Sequence, residues 1–133
     1  MSIDQYINKS ITNGFTVTIQ TKFVSEQSNP DVPVYFFAYN VQIKNGSNKP
    51  AQLLRRKWEI TNAFGETETI KGDGVVGKQP RLKSGESFSY TSYCPLKTEF
   101  GFMEGQYYMV FDNGKIFKIS TPLFKLVFPA SVN

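Results

Sequence analysis

Apolar and polar residues alternate along most of this chain. Phe15, Val17 and Ile19 alternate with Thr16, Thr18 and Gln20, the period of a strand with one buried face, and the pattern predicts a strand reaching residue 24. Residues 25–33 hold Ser, Asn, Asp and two prolines and read as a loop. The strongest alternation follows over 34–44, where Tyr35, Phe37, Tyr39, Val41 and Ile43 share a face. Asn45-Gly46 then marks a turn. Over 51–61 the same rule puts Leu54, Arg56, Trp58 and Ile60 on one face and Leu53, Arg55, Lys57 and Glu59 on the other.

Further strands are expected at 67–70, 87–93, 105–111, 115–120 and 123–128, with Asp112-Asn113-Gly114 as a three-residue turn. Residues 97–101 read as a connection. Residues 1–13 are polar with scattered apolar positions and read as an N-terminal arm. About eight strands, turn signals roughly every ten residues and no helical stripe predict an all-β antiparallel sandwich or barrel of about 7–8 strands. Trp58 in mid-chain resembles the core tryptophan of immunoglobulin-like sandwiches. The segment 123–128, Leu-Phe-Lys-Leu-Val-Phe, is sticky as an edge; it is expected to pair within the sandwich or to seed a homodimer, so monomer and homodimer both stay open.

Composition narrows the function. The 133 residues fit one domain, 1–133, which buries roughly two thirds of its unfolded surface. The absence of histidine removes Ser-His-Asp and Cys-His catalysis and the commonest transition-metal ligand. Cys94 is the single cysteine and is expected to be a small buried residue; with no secretory signal and no apolar run of membrane-spanning length, a cytoplasmic chain without a membrane partner is expected. The net charge is +4, with Arg55, Arg56, Lys57, Lys71, Lys78, Arg81 and Lys83 in the central third. No nucleic-acid motif accompanies them, so a nucleic-acid partner is not expected. Glu66, Glu68, Asp73 and Glu104 match no metal-loop spacing and are expected to be solvated charges, so no metal site and no cofactor are expected.

The candidate chemistry lies in Lys71-Gly72-Asp73-Gly74-Val75-Val76-Gly77-Lys78-Gln79-Pro80. Gly72, Gly74 and Gly77 spell G-x-G-x-x-G, which in a dinucleotide fold opens a helix. Pro80 and Gly85 leave no room for one, so the segment is expected to turn the chain between strands, with anion binding as the alternative. In that alternative backbone N–H groups converge on a phosphate, and Arg56, Lys71 or Lys78 supplies charge. Arg56 shares a face with Trp58 and must be paired or reach an edge; Glu86 and Glu104 are the expected partners.

Four blocks carry a family resemblance: Gln52-Leu53-Leu54-x-Arg56-x-Trp58-x-Ile60-Thr61, Gly72-x-Gly74-Val75-Val76-Gly77-x-Gln79-Pro80, Gly85-Glu86-x-Phe88-x-Tyr90-Thr91-Ser92 and Met103-x-Gly105-x-Tyr107-x-Met109. From about residue 14 to residue 129 the chain resembles the ApaG family. The resemblance implies a fibronectin type III-like, immunoglobulin-like β-sandwich, an association with cobalt and magnesium efflux, and a name tied to the neighbourhood of a diadenosine tetraphosphate hydrolase, with no settled activity. Family members often end in Leu-His; this chain ends Ser131-Val132-Asn133, so no role of a terminal histidine transfers. The function expected is a non-enzymatic binding module with a protein partner and no catalytic residues. The alternative is a weak sensor of phosphate, pyrophosphate or a nucleotide, a phosphorylated small molecule held by Arg56, Lys71, Gly72, Gly74, Gly77 and Lys78.

Overall fold

The computed structural model describes residues 7–29 and 31–129. They form β1 (Ile7–Thr12), β2 (Phe15–Phe23), β3 (Tyr35–Asn45), β4 (Ala51–Asn62), β5 (Thr67–Asp73), β6 (Arg81–Leu82), β7 (Ser87–Leu96), β8 (Phe100–Phe111), β9 (Ile116–Ser120) and β10 (Phe124–Val127), with one short 3-10 turn after β2. Every pairing is antiparallel. One sheet has the order β1-β2-β3-β7; the other has β10-β8-β4-β5, with β6 beside β4 and β9 beside β8. β5 and β6 share one edge of β4, and β9 and β10 share one edge of β8. The second sheet is therefore four rows wide and matches the first, which makes a two-sheet sandwich.

The alternating residues meet between the sheets. Phe15, Val17 and Ile19 of β2 are buried in one core with Met109, Ile119, Phe124 and Leu126 of the second sheet. Trp58 stands edge-on to Tyr39, Tyr107 and Phe124 at centroid distances of 5.6, 5.9 and 5.7 Å, the geometry that ring quadrupoles favour. Gly105 makes room for it: a Cβ there would come within 2.8 Å of the indole and 2.2 Å of the Lys57 carbonyl. The segment expected at 123–128 pairs with β8 and buries Phe124 and Leu126. The turn at Asp112–Gly114 forms as expected, with Gly114 at φ 88°.

Three expectations need correction. The arm assigned to 1–13 contains β1; residues 1–6 lie outside the described residues. Ile7 and Ile11 point to solvent, so β1 shows no apolar face and is held by its ladder to β2 and by polar contacts to β9. The connection assigned to 97–101 is partly β8, which starts at Phe100. Its inward positions include Gly101, where a Cβ would lie 2.5 Å from the Thr61 carbonyl, so this stretch reads as a turn.

The third correction concerns β4. Its ladder with β8 slips between Leu53 and Arg55, a β-bulge that adds Leu54 to one strand. Parity therefore reverses: Ala51 and Leu53 face inward before the bulge, Trp58 and Ile60 after it. Leu53, expected outside, is buried, and Leu54 is only half-buried. Replacing Trp58 by Ala is expected to cost ~3–5 kcal/mol of stability in a urea titration, and a loss below ~1 kcal/mol would place the ring outside the core.

Candidate functional site

The bulge at Leu54 decides which arginine turns inward. Arg55 stays on the outer face, 4.5 Å above the Tyr108 ring. Arg56 turns toward the other sheet and lies half-buried opposite Gly72. Its Nη1 donates to the carbonyls of Asp73 and Gly74 at 3.1 and 2.8 Å. A Cβ at Gly72 would stand 2.8 Å from both terminal guanidinium nitrogens, so the missing side chain is what lets Arg56 pass β5. The carboxylate partners expected for it, Glu86 and Glu104, are not there. Glu86 accepts the Lys83 N–H at 2.7 Å, Glu104 lies opposite Glu59, and the ion pairs among the described residues are Lys57–Glu59, Arg81–Asp112 and Lys97–Glu66. Backbone carbonyls satisfy Arg56 instead, a local solution that strand alternation does not reveal.

The glycine segment is an excursion between β5 and β6. The Leu54 carbonyl accepts both the Gly74 N–H and the Gln79 side-chain amide at 2.8 Å. Val75 and Lys78 exchange backbone bonds of 2.8 and 2.9 Å, closing a two-residue turn over Val76 and Gly77 with φ of 43° and 78°. Both positive angles define the hairpin turn that matches strand twist. Gly74 is needed because a Cβ would fall 2.3 Å from the Lys78 carbonyl. Val75, fully buried, pins the excursion to the core. Gly72 thus makes room for Arg56 and Gly74 and Gly77 serve the turn, and the N–H groups of Gly74, Val75 and Lys78 are already bonded. Among the residues assigned to phosphate, the structure gathers Arg56, Gly72 and Gly74. Gly77 and Lys78 lie at the exposed turn. Lys71 is on the opposite face of β5 from Gly72, across from Lys57.

Arg56 lies in the seam between the edge strands β5 and β7. Tyr39, Tyr90 and Tyr107 crowd its inner side: the Tyr90 and Tyr107 hydroxyls hydrogen-bond to each other, and Tyr39 bonds Ser92. Burial pushes all three phenols up, and the Arg56 charge opposes that rise. Farther along, the seam opens into a groove of about 390 Å³ that includes Ile60, Leu96, Glu66, Glu68 and Lys97. Hydrogen bonds from Lys97 and Asn62 hold the Glu66 carboxyl below its ordinary range. Cys94 is buried as expected; burial, with Glu68 adding to it, pushes its thiol up to about 12. At the same end, Phe64, Phe100 and Phe102 are exposed. The sequence reading missed this groove and these rings, because a groove between two strands distant in sequence leaves no local pattern. The outward i, i+2 pair Phe100 and Phe102 was the available signal.

Arg56→Ala is expected to cost ~1.5–3 kcal/mol. Adding Gly72→Ala to that variant is expected to cost less than adding it to the wild type, with a coupling of ~0.5–3 kcal/mol in a double-mutant cycle; strict additivity would contradict the contact. Val76 is a β-branched residue at positive φ, so Val76→Asn is expected to raise stability by ~1 kcal/mol, read from the urea midpoint. The Cys94 thiol keeps its proton in the folded chain above the pH at which the unfolded chain loses it. Its contribution is therefore full below about pH 9 and declines as pH rises toward 12. A urea series at alkaline pH should show a steeper decline for the wild type than for Cys94→Ala.

A family model described as the ApaG domain, DUF525, matches residues 25–111. A protein ApaG of Methylobacterium sp. (strain 4-46) is 48% identical over 121 residues, covering 91% of this chain and 93% of the relative. One from Anaeromyxobacter dehalogenans (strain 2CP-1 / ATCC BAA-258) is 46% identical over 127 residues, covering 96% and 100%. A crystal structure from Bordetella pertussis, described as an ApaA protein, superposes with a TM-score of 0.84 at 43% identity, covering 87% of this chain and 94% of that one. With that family model matching more than half of the chain and relatives 46–48% identical over nine-tenths of it or more, this chain belongs to the ApaG family.

Proposed function

We propose that the chain is a non-enzymatic binding module that docks a protein partner at the end of the sandwich where β4 turns into β5. The observation that carries this reading is the exposed aromatic cluster there. Phe64 is 75% exposed and Phe100 54%. Asn62 pairs with Gly101 beside them, and the Thr98 hydroxyl ties the turn to β8 by accepting the Ala63 N–H and donating to the Phe100 carbonyl. The Lys97–Glu66 ion pair, at 2.8 Å, borders Phe64, with the Lys97 ammonium 6.0 Å from that ring. Exposed aromatic groups with a polar border mark interaction surfaces. The side chains in the nearby groove favour binding over turnover: Glu66 is held ionised by Lys97 and Asn62, and the Cys94 thiol is buried and held neutral. The module works in the cytoplasm, where its single thiol stays reduced, and any link to cobalt or magnesium efflux would run through the partner.

A second reading, weak binding of phosphate or pyrophosphate by Arg56 with Lys71 or Lys78, has one specific support: Arg56 holds only backbone carbonyls, and no carboxylate among the described residues neutralises it. Chemical-shift mapping with pyrophosphate tests it; shifts at Gly72–Gly77 that fade with salt would favour it.

The docking reading is tested by cross-linking capture from the organism's own lysate, with mass-spectrometric quantification, comparing the wild type with a Phe100→Ser, Phe102→Ser variant of unchanged circular dichroism. One partner lost by more than tenfold in the variant is expected, and equal recovery would refute docking at these rings. No steady phosphate release from ATP or diadenosine tetraphosphate is expected; release abolished by one substitution in this chain would contradict the non-enzymatic reading.

A further inference from the structure

The sandwich has two seams, and they differ. Where β1 meets β9 the seam is closed by side chains: the Ser10 hydroxyl donates to the Ser120 carbonyl at 2.7 Å, and the Ser120 N–H donates to the Thr12 hydroxyl at 3.2 Å. Where β7 meets β5, no hydrogen bond joins the two strands among the described residues.

Ladder parity shows which backbone groups face that opening. Asn45 donates to the Glu86 carbonyl at 2.9 Å, whereas the Phe36 carbonyl is bonded by Val24 on the β2 side. Odd residues of β3 therefore bond β7, and even residues bond β2. With the register Ile43↔Phe88, Val41↔Tyr90, Tyr39↔Ser92 and Phe37↔Cys94, the inward-bonded residues of β7 are even. The N–H and C=O groups of Ser89, Thr91 and Tyr93 face the open edge.

Edge strands are ordinarily blunted by charge, by proline or by cover. β5 has that protection: it carries Glu68, Lys71 and Asp73, and Arg56 occupies the Asp73 carbonyl. β7 lacks it. Its ten residues, Ser-Phe-Ser-Tyr-Thr-Ser-Tyr-Cys-Pro-Leu, hold no charge, and Pro95 lies only near its end. A strand of that length with an uncovered backbone is a template for strand addition.

The walls of the seam specify what is added. Arg56 and Gly72 are paired across β4 and β5, as are Ile60 and Glu68, four residues along. One station is thus a guanidinium with no carboxylate partner among the described residues. The other is Glu68, which joins no ion pair among the described residues and lines the groove beside Ile60 and Leu96. Along a strand, four residues span ~13 Å on one face. We infer that the β7 edge takes an extended segment of a partner protein that adds as a strand, with an acidic side chain facing Arg56 and a basic side chain four positions away facing Glu68, over an apolar floor of Ile60 and Leu96. This inference rests on the reading of the chain as a protein-binding module and adds a second contact to it, on the opposite face of the sheet from Phe102.

The test is selection of a displayed library of random twelve-residue peptides on the immobilised full chain, followed by titration of the enriched peptides into isotope-labelled protein. Enrichment of an acidic and a basic residue at i, i+4 is expected, with amide shifts at Ser89, Thr91 and Tyr93. Thr91→Pro removes an N–H that no ladder bond uses, so the fold should survive while affinity falls at least tenfold; Thr91→Ala should change it less than twofold. Replacing the peptide's acidic residue by its amide should weaken binding by a similar factor. No enrichment, peptides indifferent to Thr91→Pro, or a dimer of this chain closed at β7 and dissociated by Thr91→Pro would each overturn the inference. The Phe100→Ser, Phe102→Ser variant separates the two readings. Peptide binding that persists in it while partner capture is lost supports both. Partner capture indifferent to that variant, with peptide binding at β7 intact, removes only the aromatic docking reading.

Discussion

One inserted residue organises this molecule. The bulge at Leu54 shifts β4 by one position against β8, and everything on the following half of the strand inherits the shift. It sends Trp58 into the ring cluster with Tyr39, Tyr107 and Phe124, leaves Arg55 on Tyr108 outside, and commits Arg56 to the interior. Next to the bulge the Leu54 carbonyl carries the β4–β5 register one step further, and the glycine segment docks on that carbonyl through Gly74 and Gln79. A bulge is a device for re-aiming side chains; here it aims a cation at a seam and supplies the anchor for the loop that holds it.

The cost of an inward guanidinium is met by position. A buried unpaired charge is expensive, yet Arg56 reaches the seam past Gly72, where no side chain stands, and satisfies two donor directions on the Asp73 and Gly74 carbonyls. Carbonyls supply dipoles and no formal charge. The positive potential persists at a place where phenol hydroxyls, a groove and an unprotected strand edge converge. The opposite seam is closed by Ser10 and Thr12 against Ser120. The two seams of the sandwich therefore differ in how their edge strands are bonded.

The sequence made the fold legible wherever one face of a strand is buried and the other wet. The alternation in β2 and β3, the Asp112–Gly114 turn and the buried positions of Trp58 and Cys94 were all readable, because burial imposes a period of two. It concealed β1, whose isoleucines face water, and the start of β8, whose inward positions include a glycine. It also misplaced Leu53 and Leu54, since a bulge breaks parity without leaving a mark in composition. At the candidate site, Arg56 and the glycines were visible as residue types. What they do was not: G-x-G-x-x-G resembles a phosphate cradle because both uses need backbone without Cβ. Here the glycines answer to Arg56, to the Lys78 carbonyl and to a two-residue turn. Residues 52–60 and 72–80 become neighbours through the pairing of β4 with β5 and β6, and β7 joins them through the other sheet.

The central claim is that the β7 edge is open in the isolated chain and lies beside an arginine that no carboxylate among the described residues neutralises. Residue-resolved amide hydrogen exchange of the full chain tests it most directly, because exchange reports backbone bonding position by position. The account predicts alternation along β7, with Tyr90, Ser92 and Cys94 strongly protected and Ser89, Thr91 and Tyr93 exchanging at least ~100-fold faster. Uniform protection along β7 would show that its outer edge is already paired, and would contradict the account.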